Sequence, residues 1–528
     1  MIDQIPLLLL FVKDFTGRGA DAFYWFQDGR LQETDAASVV SFQGPILCHD
    51  FWMIRDALFD STGTLPGIII DVDELRIAVS GIPEERLSRE KRDVTAHLGQ
   101  YGAAQEVCDA YQKIFNKGAP FDEAVAAKAA TAIAAMYLDL RERASADGEL
   151  ERFFSVEVPV YRLLQHSMSA GISLDTAGLS KKRAQAEHDY FLALKDYSAK
   201  HDMPLETPSR RNIEAKLIKE GFELDEVSVE YLLEFVPHDR DFGGDTMALL
   251  ALDTTRKVLG SLTLSTDGTR PMVDVFGSRT SRVQLRSPSL QNIPKRYRSI
   301  VAAHGDAKLC YVDFDQFEVG IMAALSGDEE LKRLYAAGDM YELFATTYLG
   351  LRGARKAAKQ LFLSYAYGMS RKALVDAAVS LGVDRQKAKE AFRRFQRYEE
   401  WKKEVWTEFQ SGGRVTTILG NHYRRANKGQ LTGKEQRSAV SQVVQGTASL
   451  IFKRTLLMVA SIRDTRIVLP MHDALLFEHK LAETPGKVVE AFENVMTDVL
   501  GGRVAGKASI GDFAEYEPNS DAPKVNEV

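Results

Sequence analysis

Cysteine is scarce in this chain: three in 528 residues, Cys48, Cys108 and Cys310, with no CxxC pair. That excludes a disulfide-built scaffold and a cysteine-ligated zinc ribbon, and it fits reduced thiols in an intracellular protein. Long apolar runs are missing too. The run nearest the start, PLLLLFV, is bounded by Lys13 and Asp14 and has no basic segment before it. It is too short for a membrane span and wrong for a signal peptide, so it reads as a buried strand. No internal repeat or low-complexity tract interrupts the sequence. What is present is ordinary globular composition, 45% hydrophobic and 27% charged, enough for several cores without metal or disulfide support. The expectation is a soluble cytoplasmic protein of several domains with no membrane partner.

The formal net charge of -7 is unevenly spread. Residues 1–150 hold 24 acidic and 14 basic side chains, so the remainder is net positive. Within that remainder, positive charge gathers in three blocks. Arg270 to Lys308 has eight basic residues against two acidic, Arg352 to Lys403 fourteen against five, and Arg414 to Arg437 six against one. Such clusters hold phosphate backbones, although a charge run can equally be a solvated helix face.

Four short apolar stretches in the first 150 residues, PLLLLFV, AFYWF, GPILCH and GIIIDV, read as strands, and helical sequence follows from Glu84 to Arg143. A helix should end near Gly171, and residues 176–262 read as an extended helical subdomain. Residues 331–410 read as helical, interrupted at Gly338, Gly350, Gly353 and Gly368. RVTTILGNHYRR reads as a strand pair, EQRSAVSQVVQGTASLIFKRTLLMVASI as a long helix, and IVLPMHDALLFEH as a hairpin with His472 and Asp473 at its tip. The tail EPNSDAPKVNEV reads as disordered.

Three segments carry chemistry. In YVDFDQFEVG, Asp313 stands where a buried strand runs into a helix, a position that suits a metal ligand; Asp313 and Asp315 suit helix capping equally well. In LPMHDALLFE, Asp473 lies between two apolar strands and must face outward or meet a cation. Between them, Arg355, Lys359, Leu363 and Tyr367 recur every four residues on one helix face, which suits a triphosphate with a sugar and base beyond it, or a plain amphipathic helix. Two divalent ions held by paired carboxylates can clamp both oxygens of an in-line phosphoryl transfer.

From about residue 153 to 515 the chain resembles the family A DNA polymerases. DFDQFE resembles motif A, RKAAKQLFLSYAYG motif B and MHDALLFE motif C. RVQLRSPSLQNIPKR, SAVSQVVQGTASLIFKR and AGISLD resemble three further segments of the family, all in the right order. The resemblance implies an α/β and α+β multidomain right hand, divided into palm base and helical thumb (151–270), palm with motif A (271–330), fingers with motif B (331–435), and palm with the QGTA helix and motif C (436–528). It implies that Asp313 and Asp473, helped by the Phe314 carbonyl, hold two Mg²⁺ ions. Arg355, Lys359, Leu363, Tyr367, Glu318 and Gln316 would meet the incoming dNTP, with Lys359 at the leaving pyrophosphate and Glu318 as the steric gate against a ribose hydroxyl. Arg282, Gln291, Asn292, Arg437, Gln445 and His472 would meet primer–template DNA. The expected form is a monomer, with replication accessory proteins as further partners.

Leu363 and Ser364 depart from the family's aromatic and glycine and lean toward the single-subunit RNA polymerases of the same superfamily. Ala474 stands where a Glu is usual. By position and strand order, residues 1–150 resemble the family's ribonuclease H-like 3′–5′ exonuclease. KDFTG, however, has Asp14 without a second acid two places on, and only Asp50 and Asp71 suggest the later motifs. The implied domain is vestigial and inactive. The expected function is primer-dependent DNA synthesis of phage type without proofreading. The alternatives are a ribonucleotide-tolerant polymerase and a non-catalytic DNA-binding descendant.

Overall fold

Six apolar residues, Leu7–Val12, form β1, whose Leu8 to Phe11 are buried. A run buried on both faces belongs in the middle of a sheet, and β1 lies there. The computed structural model describes residues 5–87, 93–222, 229, 233, 241–262 and 268–515. β1 is flanked by β2 (Ala22–Gln27), β3 (Arg30–Thr34), β4 (Ile46–Cys48) and β5 (Ile69–Asp71) in the order β3-β2-β1-β4-β5. β2 and β3 run antiparallel, while β1, β4 and β5 run parallel. β3 was absent from the sequence reading because RLQET is a polar edge strand. Its signal was the Asp28–Gly29 pair, both at positive φ, which closes a two-residue turn.

The helical stretch expected from Glu84 to Arg143 is broken. Helix Pro83–Leu87 and a 3₁₀ turn Val94–Tyr101 come first, then helices Gln105–Lys117 and Glu123–Ala146. Gly102 and Gly118 take left-handed conformations at the breaks after Tyr101 and Lys117, where residues with a Cβ would be strained.

Two short strands, β6 (Met272–Asp274) and β7 (Gln284–Arg286), precede β8 (Lys308–Phe314). A second sheet has the order β11-β12-β8-β13, with β11 (Arg466–Pro470), β12 (Ala474–His479) and β13 (Ala508–Gly511). The expected hairpins form: β11 with β12, and β9 (Arg414–Thr417) with β10 (Gly420–Arg424). The long helix Gly433–Ser461 starts at a capping box, in which Thr432 and Glu435 satisfy each other's backbone N–H groups. By length and composition it is the one helix among the described residues able to cross a membrane, but it is mostly buried in this core.

Between β8 and β9 lie helices Phe317–Ser326, Arg355–Ala366, Arg371–Ser380, Arg385–Arg393 and Gln396–Gly412, among others. Phe344, Phe362, Tyr365, Phe392, Phe395 and Tyr398 interlock as their aromatic core. Apart from Met272 of β6, Leu285–Arg286 of β7 and Lys308–Leu309 of β8, these elements belong to one compact unit, Met1–Ala170 with Val273–Gln284 and Cys310–Gly511.

The second unit comprises Gly171–Met272, Leu285–Leu309 and Asp512–Val528. Helices Thr176–His201 and Phe242–Ser261 pack together there around Tyr190, Leu194, Tyr197 and Leu249. These helices lie in the stretch 176–262 read from the sequence as a helical subdomain, of which most of 223–240 lies outside the described residues. The tail expected to be disordered lies outside the described residues.

Candidate active site

β8 sits between β12 and β13, so the end of β8 and the turn before β12 are neighbours. The Phe314 N–H donates to the Asp473 carbonyl at 3.2 Å. That bond places the two predicted metal aspartates, Asp313 on β8 and Asp473 in the hairpin turn, side by side at one strand end. Burial raises the pKa of Asp473 above the usual carboxylate range, while the charges of Arg282, His472 and Lys359 oppose the shift. The net rise, to which the Glu318 charge adds, marks a buried carboxylate whose charge these neighbours do not fully compensate, and a bound cation would supply the remainder. His472 is held below its usual pKa by loss of water around the ring and by the Arg282 charge.

Glu318, in the first turn of helix Phe317–Ser326, is the centre of a polar web. Arg282 Nη2 donates to its Oε1 at 2.5 Å, Gln445 Nε2 donates to the same oxygen at 3.2 Å, and the Tyr367 hydroxyl donates to Oε2. Burial, then the Glu318 charge, drives the Tyr367 phenol well above its ordinary pKa, so it stays a donor. Gln445 is oriented in turn by Thr280 at 3.5 Å. Three distant segments therefore fix one carboxylate beside the Asp313–Asp473 pair.

Arg355 opens its helix with Nε 2.5 Å from Asp339 Oδ2. Arg355 and Lys359 both lie over the Tyr341 ring, at 5.7 and 5.6 Å from its centroid. This cation–π seat holds two positive heads a helical turn apart. Burial works against the Asp339 carboxylate, but Arg355 and the N–H groups of Glu342 and Tyr341 keep its pKa low. Leu363 and Tyr367 follow at the helix end, both half-buried. Arg437 lies beside the Gly368 turn: a Cβ on that glycine would stand 3.5 Å from Arg437 Cγ.

Other predicted residues are placed differently. The Gln316 amide ties down the loop before Met340, donating to the Gly338 carbonyl at 2.7 Å and accepting from the Met340 N–H at 3.1 Å. Gln291 and Asn292 belong to the second unit, where buried Gln291 accepts the Leu285 N–H at 3.0 Å. Asp339 and Thr280 were missed as positioning groups. Asp339 had a legible signal, an acid just before a helix, whereas Thr280 had none.

In the first sheet, Asp14 does not join the other acids. Its carboxylate closes its own loop on Thr16 and Gly19. Asp71 accepts from Phe51 N, Asp73 N and the Tyr161 hydroxyl.

Residues 250–511 match the model of DNA polymerase family A. The chain belongs to that family. Among similar proteins, DNA polymerase I of Mycobacterium bovis is 27% identical over 413 residues, covering 67% of this chain and 44% of its own length. DNA polymerase I, thermostable, of Thermus filiformis is 29% identical over 245 residues, 41% of this chain and 29% of that protein. DNA polymerase theta of Caenorhabditis elegans is 29% identical over 238 residues, 42% of this chain and 14% of the relative. The chain thus spans less than half the length of these relatives. The solved POL domain of Pol1 from M. smegmatis, in complex with DNA primer-template and dNTP, superposes with a TM-score of 0.72 at 21% identity, covering 96% of this chain and 95% of that one. The family A polymerase fold therefore extends over nearly the whole chain.

Proposed function

We propose that this family A protein is a template-directed DNA polymerase that adds dNTPs to a primer 3′ end. The observation that carries the reading is the Phe314–Asp473 backbone bond, which brings two strand-end carboxylates together, one of them, Asp473, within reach of the Lys359 charge. A binding module needs no acidic pair next to phosphate-binding cations, so the non-catalytic alternative is disfavoured. Asp313, Asp473 and the Phe314 carbonyl are hard oxygen donors that fit two Mg²⁺ ions, which when bound would lower the charge on the attacking and departing oxygens.

The chain's own groups supply the rest. Arg355 and Lys359 would neutralise the triphosphate, and Lys359, with its mobile ammonium, would meet the leaving pyrophosphate. Glu318, pinned by three donors, would fill the space of a ribose 2′-hydroxyl and favour dNTPs over rNTPs. Tyr367, Arg282, Gln445, His472 and Arg437 would border the nascent pair and primer–template, with Leu363 toward the sugar. Gln316 would act by holding the Met340 loop, and Gln291 and Asn292 would face the duplex from their own unit. The palm, fingers and thumb divisions expected from the motifs, a monomeric cytoplasmic form and replication accessory partners belong to the same reading.

Residues 1–150 are proposed as an inactive exonuclease-like fold. Support comes from Asp14, spent on its own loop, and Asp71, spent on capping and on Tyr161.

Primer extension with Mg²⁺ on a primed DNA template tests the reading, with dNTPs against rNTPs and Asp473→Ala as control. Extension with dNTPs that vanishes in the variant is the expected result. Tight template binding without extension overturns it, and equal use of rNTPs moves the enzyme to the ribonucleotide-tolerant branch suggested by Leu363 and Ser364.

A further inference from the structure

The parallel strands β4 and β5 end side by side, with Cys48 in register with Asp71. Just past these ends stand His49, Asp50 and Asp73, at 2%, 8% and 6% exposure. One donor atom from each lies within 4.8 Å of the others. We propose that this strand edge is a binding site for a single transition-metal dication, Zn²⁺ or Mn²⁺, held by His49, Asp50 and Asp73 as a structural pin of the N-terminal domain.

The geometry of His49 carries the inference. Its Nε2 is hydrogen-bonded to the Tyr111 hydroxyl at 2.7 Å, and its ring packs on Phe115 with centroids 4.3 Å apart, so the imidazole cannot swing. Its buried Nδ1 has no hydrogen-bond partner and points toward Asp50, 3.6 Å from Oδ2. When Nε2–H donates to Tyr111, Nδ1 presents a lone pair. A bond on the far nitrogen that fixes tautomer and ring orientation is what a metal-ligating imidazole requires.

The carboxylates are aimed in the same way. Asp50 Oδ1 accepts the Trp52 indole N–H at 2.7 Å, which turns Oδ2 toward His49. Asp73 accepts the Val94 N–H on Oδ1 and the Asp50 N–H on Oδ2, both at 2.9 Å, so its orientation is set by two backbone groups. Each Asp73 oxygen, with one N–H bound, keeps a second lone pair. Donors bound at about 2.1 Å to one tetrahedral ion stand roughly 3.5 Å apart, so the His49–Asp50 spacing already fits. The cluster would have to close by about an ångström around the ion. One imidazole with two carboxylates suits Zn²⁺ or Mn²⁺ and disfavours Mg²⁺ or Ca²⁺, which take oxygen donors.

The site is not an exonuclease centre. Asp14 lies in its own loop, and Asp71 is consumed by Phe51, Asp73 and Tyr161. The bound ion would tie the end of β4 to the first turn of helix Val72–Ser80 and, through Asp73, to the Val94 N–H. No hydrolytic step follows from it.

The test uses the full chain in an Asp313→Asn, Asp473→Asn background, so that metal bound at the palm is not counted. Protein equilibrated with Zn²⁺ or Mn²⁺ and passed through gel filtration should retain one equivalent by elemental analysis. Affinity by calorimetry should fall about tenfold or more in His49→Ala and in the Tyr111-compatible His49→Gln. Zn²⁺ should also raise the unfolding midpoint of the parent protein and not that of either variant. Circular dichroism guards against misfolded variants. No retained metal in the parent overturns the proposal, as does equal retention in both folded variants.

Discussion

Glu318 offers the sharpest test of the active-site reading, because size and charge can be separated there. Its carboxylate accepts from Arg282, Gln445 and Tyr367, three donors brought from distant parts of the chain. Glu318→Ala removes volume and charge together. Room for one ribose hydroxyl then opens, and pocket discrimination of a group this size is worth about 1–3 kcal/mol, roughly 10–200-fold. The same change strands the Tyr367 hydroxyl and Arg282, a stability cost of about 1–3 kcal/mol. Glu318→Gln keeps nearly all the volume and can still accept from Tyr367, but it loses the charge facing Arg282. The assay is single-nucleotide incorporation, comparing kcat/KM for a dNTP and the matching rNTP. Glu318→Ala should narrow the ratio by that factor, while Glu318→Gln should lower overall efficiency and leave the ratio nearly unchanged. If both variants narrow the ratio equally, or neither does, Glu318 does not act as a steric gate.

The remaining predictions are distributed over the same unit. A Cβ on Gly446 would stand 2.6 Å from Thr417 Cγ2 and 3.0 Å from Asn421 Nδ2, so Gly446→Ala should lower stability by about 1–3 kcal/mol in urea unfolding. Lys453 is fully buried, with Nζ 2.6 Å from Glu157 Oε2, and burial pushes its pKa down to about 8 against the pull of that carboxylate. Lys453→Met should cost about 3 kcal/mol, and Glu157→Gln added to it should recover part of the loss. The Arg425 hydrogen bond and the Thr432 N–H push Glu435 down to about 2. A depressed carboxylate stabilises above its unfolded value and loses that contribution as pH falls through the folded one. The urea-midpoint gap between the parent protein and Glu435→Gln should therefore be constant above about 4.5 and shrink toward pH 2. Leu363→Phe should change the ratio of dideoxy to deoxy incorporation in competition assays, and an unchanged ratio would remove Leu363 from sugar selection.

Much of the scaffold was readable along the chain because it depends on local periodicity. The apolar run of β1, the two hairpins and the long helix after Thr432 each carry their pattern within one stretch of sequence. Strand-end placement of Asp313 and Asp473 was equally legible, since a charge closing an apolar run has few places to go. The polar edge strand β3 and the glycine breaks at Gly102 and Gly118 were lost where hydrophobic pattern is weak and a single backbone conformation decides the outcome.

Sequence by itself determined most of the elements that form, the family to which the chain belongs, and which side chains are candidates to hold phosphate or metal. Tertiary structure alone decided that Asp313 and Asp473 meet through the Phe314 N–H, that Tyr341 seats both Arg355 and Lys359, and that Gln316 and Gln291 hold backbone within the fold. It also decided that His49, Asp50 and Asp73 converge. The reason is physical: periodicity fixes which face of an element a residue occupies, but contacts between groups remote in sequence depend on how whole elements pack. No local pattern encodes that distance.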